Sequence, residues 1–146
     1  MTSSVQTRLT VLYYSSTGGT HAMAEAVAAG AASTGAEVRL RRAAELAPEA
    51  AIDSMPAWRA HLEATRDVPE ITHADMEWAD GFVIGTPTRF GLPAAQIKQF
   101  IDSCGGLWMA GHLTDKVASA PSCEEDPRRA WPAVLSSELR WRSTRS

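Results

Sequence analysis

The segment from Leu9 to Thr20, LTVLYYSSTGGT, restricts the fold more than any other part of this chain. Leu9, Val11, Leu12, Tyr13 and Tyr14 make a near-continuous apolar run, which suits a strand buried on both faces of a parallel sheet better than a strand with one wet face. The run stops in Ser15, Ser16, Thr17, Gly18, Gly19 and Thr20, directly before an alanine-rich stretch of strong helix formers. A central strand, a hydroxyl- and glycine-rich turn and a helix follow one another within a few residues.

A helix starting near Thr20 presents unpaired N–H groups at its first turn, where its dipole also favours negative charge. Backbone N–H groups and the hydroxyls of Ser15, Ser16, Thr17 and Thr20 can hold an anion there without a lysine. The Walker lysine is absent, which disfavours nucleotide hydrolysis, and the spacing G-x-G-x-x-G is absent, which disfavours a dinucleotide on this loop. A phosphomonoester remains. A plain strand-to-helix turn also remains, because Ser, Thr and Gly are common in such turns.

At 146 residues the chain has the length of one domain, and its net charge of −3 gives no electrostatic argument for nucleic acid or an anionic membrane. A small-molecule ligand is the better expectation. Cys104 and Cys123 are too few for a disulfide framework, and His21, His61, His73 and His112 lack metal-ligand spacing. Residues 1–7 are polar, with no apolar leader core, and no run approaches the roughly 20 apolar residues of a membrane span. A reduced, metal-free, cytoplasmic protein with a loose N-terminal tail is expected.

Met23, Val27 and Ala31 mark the first helix, over about Ala22 to Thr34, with Gly35 as its stop. Glu37 to Arg41 alternates, Val38 and Leu40 against Glu37, Arg39 and Arg41, as an edge strand does. Residues 43–71 are interrupted by Pro48, Pro56 and Pro69, with a short helix around Trp58 and Leu62; Trp58 is read as packing. Thr72 and Asp75 have the spacing of a capping box before a short helix ending near Ala79. GFVIG, residues 81–85, is a second buried strand leading into a second loop, Thr86, Pro87, Thr88, Arg89, Phe90 and Gly91. Pro93 suits the first turn of a helix carrying Ile97, Phe100, Ile101 and Cys104, closed by Gly105 and Gly106. Cys104 reads as core. Leu107, Trp108 and Met109 are then three large apolar residues in a loop: a ligand wall or subunit contact, or else a buried plug. KVASA, residues 116–120, begins a third parallel strand that Pro121 cuts short.

In open α/β sheets, ligands bind beyond the carboxyl ends of strands where the winding reverses. A strand order beginning 2-1-3 puts Ser15–Thr20 and Pro87–Gly91 on one rim. One loop can take a phosphate; the other offers amides around Gly91, the Arg89 guanidinium and the Phe90 ring. FMN matches both, with Arg89 as flavin contact weighed against a role in a surface ion pair.

YYSSTGGT with its alanine-rich helix, GTPTRFG, and the helix closing in GGLW resemble the WrbA-type NAD(P)H:quinone oxidoreductases of the flavodoxin-like superfamily, over about residues 8–120. The resemblance implies a doubly wound parallel sheet. It places the FMN phosphate on Ser15–Thr20, borders the isoalloxazine with Thr88, Arg89 and Phe90, and lines the quinone pocket with Trp108. It also implies NAD(P)H as donor, a quinone as acceptor and a homotetramer with sites shared between subunits. Thr17 stands where the family often has an aromatic residue near the nicotinamide.

Residues 121–146 depart from that pattern. The family continues into a third flavin loop, a further strand, a histidine near the flavin and a last helix, none of which is recognisable in this Pro-, Ser- and Arg-rich segment. A divergent tail is expected, a substituted or out-of-frame ending that removes the C-terminal strand and helix. With no Ser/His/Asp or Cys/His set in view, chemistry is expected to be the flavin's. The alternative is a non-catalytic flavodoxin-like module for electron transfer, or a degenerate one.

Overall fold

The computed structural model describes residues 6–120 together with the backbone of 122 and 123. The first strand, β1 (Arg8–Tyr13), pairs in parallel with β2 (Glu37–Arg42) on one side and with β3 (Gly81–Arg89) on the other. On the far side of β3 lies β5 (Val117–Ser119), so the parallel order is 2-1-3-5. The expected 2-1-3 start is the one observed, and β1 is central.

The apolar run of β1 divides by parity. Val11 and Tyr13 face α1 (Gly19–Ser33) and pack with Ala24, Val27 and Val38, while Leu12 and Tyr14 face the other layer and pack with Ala94 and Ile97 of the α5 (Ala95–Ser103) region. Both faces are buried, as a run without polar alternation requires. Each such side chain stabilises the fold by roughly 1.5–3 kcal/mol. The inner face of α1 centres on Thr20, Ala24, Val27 and Ala28 rather than on Met23, Val27 and Ala31, because the helix starts earlier, at Gly19. It stops before Gly35, which takes φ +91°.

The irregular stretch after β2 folds as α2 (Glu49–Asp53) and α3 (Pro56–Ala64), the latter with proline in its first turn and containing Trp58 and Leu62 as expected. The Thr72–Asp75 capping box opens α4 (His73–Trp78) as its spacing predicted. Asp75 does more than cap. Its carboxylate is buried and takes Arg39 at 3.0 Å and Arg41 at 3.1 Å, so the polar face of the edge strand β2 is paired beneath α4 rather than left to water. Arg39 also lies 3.9 Å from the centroid of the Trp78 ring. Burial pushes the Asp75 carboxyl up, but the hydrogen bonds from Arg41, Thr72 and Arg39 outweigh it and hold it below the usual carboxylate range.

Four expectations on the second half need correction. GFVIG does not end in a loop at Thr86: β3 runs on to Arg89 and turns through Phe90 and Gly91 into β4 (Leu92–Pro93). Phe90 (φ 53°) and Gly91 (φ 79°) are both left-handed, the requirement of a two-residue hairpin turn that follows the twist of the strands. Pro93 is therefore in a strand, and α5 starts after it, at Ala95. Gly105 and Gly106 do not close α5 into a loop. Cys104 keeps a helical φ of −76°, and the chain continues as α6 (Gly105–Met109), whose Leu107 packs against Phe82, Cys104 and Met76. Strand pairing also resumes beyond Pro121, where β6 (Ser122–Cys123) runs parallel to Thr86–Pro87. The rest of the expected divergent tail lies outside the described residues. Cys104 is core, as read, and burial pushes its thiol up. No helix of the described residues is long and apolar enough to cross a membrane.

Candidate functional site at the carboxyl ends of β1 and β3

Parallel pairing of β1 with β3 carries two distinctive segments to one rim. The register continues past β1, since Tyr14 N–H donates to the Gly85 carbonyl at 3.0 Å. Gly85 leaves the room this needs: a Cβ there would stand 3.2 Å from Thr20 Cγ2 and 3.3 Å from Tyr13 Cβ. From that point the loop Ser15–Gly19 leads into α1. Ser15 Oγ accepts the Gly18 N–H at 2.9 Å, and Gly18 takes φ +104°, a conformation that favours glycine.

The N-terminus of α1 suits an anion. No side chain caps it, its first turn holds no acidic residue, and a Cβ on Gly19 would meet nothing within 4 Å, so the approach to its N–H groups is open. Thr20 is buried beneath the loop, Ser15 and Ser16 are half-buried, and Thr17 is exposed. These donors fit a phosphomonoester.

On the other side of the rim, Thr86 Oγ1 accepts the Ala94 N–H at 2.9 Å and donates to the Pro87 carbonyl at 3.1 Å, tying the two ends of the hairpin together. Pro87 and Thr88 are half-buried; Arg89, Phe90 and Gly91 are exposed, the Phe90 ring completely. Arg89 Nη2 donates to Ser16 Oγ at 3.0 Å. That bond joins the two loops directly, so Ser15–Thr20 and Pro87–Gly91 form one contiguous rim.

Trp108 is not brought to it. The nine residues of α5 lead away from the rim, about 13 Å at 1.5 Å per residue, and end where Cys104 meets Phe82 near the start of β3. Trp108 follows there, exposed, at the opposite end of the sheet.

Sequence reading passed over Glu45 and His61. Glu45 accepts Tyr14 Oη and Trp58 Nε1 at 3.0 Å each, Gln96 Nε2 at 2.8 Å, and the N–H groups of Leu46 and Ala47. Burial works against the charged carboxylate, but these hydrogen bonds prevail and keep Glu45 below its usual range. Trp58 is thus a hydrogen-bonded strut as well as packing. The available signal was position, since Glu45 comes just after the carboxyl end of β2, on the rim that binds ligands in such sheets. Nothing in the spacing pointed to His61, which shares a cleft with Tyr13, Ser15, Arg42 and Glu45.

The family model described as NADPH-dependent FMN reductase matches residues 7–130. The chain belongs to the NADPH-dependent FMN reductase family. This FMN reductase family chain is 49% identical over 113 residues to the NAD(P)H dehydrogenase (quinone) of Deinococcus radiodurans, covering 77% of this chain and 56% of that protein. It is 50% identical over 113 residues to NAD(P)H dehydrogenase (quinone) 3 of Rhizobium meliloti, covering 77% and 51%. It thus spans about half the length of these relatives. The flavodoxin, WrbA-like protein from Agrobacterium tumefaciens superposes with a TM-score of 0.56 at 28% identity, over 80% of this chain and 59% of that one. The resemblance carried by YYSSTGGT, GTPTRFG and GGLW is borne out, and the fold of this FMN reductase family member is flavodoxin-like.

Proposed function

We propose that the chain is an FMN-dependent NAD(P)H:quinone oxidoreductase. The observation that carries the reading is the joined rim: an uncapped 15-residue helix with an open N-terminus, tied through Ser16 and Arg89 to a hairpin presenting an aromatic ring. Ser15–Thr20 take the flavin phosphate on N–H groups and hydroxyls. Arg89, Thr88 and Phe90 border the ring system, Arg89 by charge and planar hydrogen bonding, Phe90 by ring contact. When bound, FMN supplies the redox chemistry, accepting a hydride from NAD(P)H and passing two electrons to a quinone. The protein's part is position and charge. The relatives' names support the donor and acceptor classes.

Trp108 lines the quinone pocket in this reading, and from its place at the far end of the sheet it does so in a second copy's site. That accords with a homo-oligomer, a tetramer by resemblance, working in the cytoplasm. The test is NADH- and NADPH-dependent benzoquinone reduction by protein reconstituted with FMN. Turnover that requires FMN and falls several-fold in Trp108→Ala supports the reading. Stoichiometric FMN without quinone turnover leaves the electron-carrier alternative, and failure to bind flavin excludes both.

A further inference from the structure

Beneath the loop lies a polar cluster for which flavin contact alone has no use. Tyr13 is 1% exposed, and its hydroxyl has no hydrogen-bond partner among the described residues; His21 Nδ1 is buried and equally unpaired. Buried polar atoms left unpaired are costly to the fold. The Tyr13 and His21 rings stand 5.0 Å apart, and His21 meets His61 of α3 at 5.4 Å. His61 in turn walls the loop: a Cβ built on Gly18 would lie 3.5 Å from its Nδ1 and 3.9 Å from its Cε1.

The charges around this pair come from every neighbouring element. Glu25 on α1 faces His21 Nε2 at 3.3 Å. From β1 and β2, Tyr13, Tyr14 and Arg42 share the cleft with His61, as does Glu45. Burial pushes the Tyr13 phenol up to about 12 and raises Tyr14 as well, so both stay neutral. Glu45 is committed to Tyr14, Trp58 and Gln96, while Arg59, on the same helix as His61, is committed to Glu49 and Asp53. Without ligand, burial and the neighbouring His21 hold His61 below the usual imidazole value. Among the described residues His61 makes no ion pair, and a phosphate seated on Ser15–Thr20 would bring it negative charge.

We propose that His61 reads the phosphate: a phosphomonoester seated on Ser15–Thr20 draws a proton onto His61, so that FMN binds with proton uptake and riboflavin does not. The proposal rests on the flavin reading above and specifies how that site selects the phosphorylated form. The sign follows from linkage. A group whose pKa is higher in the bound state strengthens binding at low pH, and the gain is lost as pH rises through the bound-state value. Each unit by which FMN raises the imidazole is a tenfold gain in affinity. The phosphomonoester itself gains a proton near pH 6, so the informative window is pH 6.5–8.5.

The experiment is flavin fluorescence titration of the full chain with FMN and with riboflavin across that window. Calorimetry in two buffers of different ionisation enthalpy counts the protons taken up. FMN affinity should rise about three- to tenfold from pH 8.5 to 6.5, with fractional proton uptake near pH 7, while riboflavin affinity stays level. In His61→Gln, FMN should still bind, but with a flat profile and no uptake; His61→Phe is the second variant, checked for folding by circular dichroism. Zero proton uptake by the native chain, or an undiminished slope in the folded variants, overturns the proposal while leaving the flavin reading intact. A native chain that binds neither flavin overturns both.

Discussion

The two halves of the rim are held in different ways. Ser15–Thr20 rest on the core of the sheet: buried Tyr13 below, buried Thr20 against Gly85, and half-buried His61 against Gly18. Phe90 and Gly91 rest on their own hairpin turn, with Arg89–Ser16 as the link to the opposite loop, and the Phe90 side chain is 105% exposed. The Ser15–Thr20 half is preorganised by the core of the sheet, whereas the hairpin half carries exposed apolar surface and a strained residue. Anion binding needs fixed N–H directions, and these come from the rigid half. An exposed aromatic at a left-handed φ is costly to fold and gains a partner only when something flat stacks on it.

Substitutions can break or sharpen that contrast. Asp75→Asn should have the largest effect, about 3 kcal/mol of stability by denaturant titration, because it strands Arg39 and Arg41 under α4. The native Asp75 carboxyl is depressed, so its contribution is present above the unfolded value of 3.8 and is lost as pH falls through the folded value beneath it. The gap between native and variant should therefore close below about pH 4. Gly85→Val comes next. Its methyls meet Thr20 and the β1 backbone, costing about 2 kcal/mol and shifting the loop enough to weaken FMN at least tenfold by fluorescence titration.

Phe90→Asn should separate stability from function. Asn tolerates a left-handed turn far better than Phe, so thermal stability should rise by about 0.5–1 kcal/mol while flavin affinity falls. A gain in both would remove Phe90 from the site. Arg89→Ala is the smallest in stability, within about 0.5 kcal/mol because the Arg89–Ser16 contact is exposed. It should nonetheless weaken FMN about fivefold by fluorescence titration, and equal effects on FMN and riboflavin would place Arg89 at the ring rather than the phosphate.

The same contrast explains what was legible in the sequence. The β1 run, the hydroxyl loop and the Thr72–Asp75 cap are local signals, written in consecutive residues, and each appears where its spacing put it. The hairpin is not legible in the sequence because Phe-Gly is a poor match to the Asn-Gly of such turns, and Pro93 suits a helix start as well as an edge strand. Gly105 and Gly106 look like a stop, yet the burial of Leu107 carries the helix through them. Glu45 and His61 depend on contacts across tens of residues, between α3, β1 and the loop, which no periodicity encodes.

The central claim is that Ser15–Thr20 grip the phosphate of a flavin. It is tested most directly by titrating one preparation with FMN and with riboflavin at pH 7 and comparing dissociation constants. Phosphate held by backbone N–H groups and hydroxyls should favour FMN by about 2 kcal/mol, roughly thirtyfold. Equal affinity for the two flavins would contradict it.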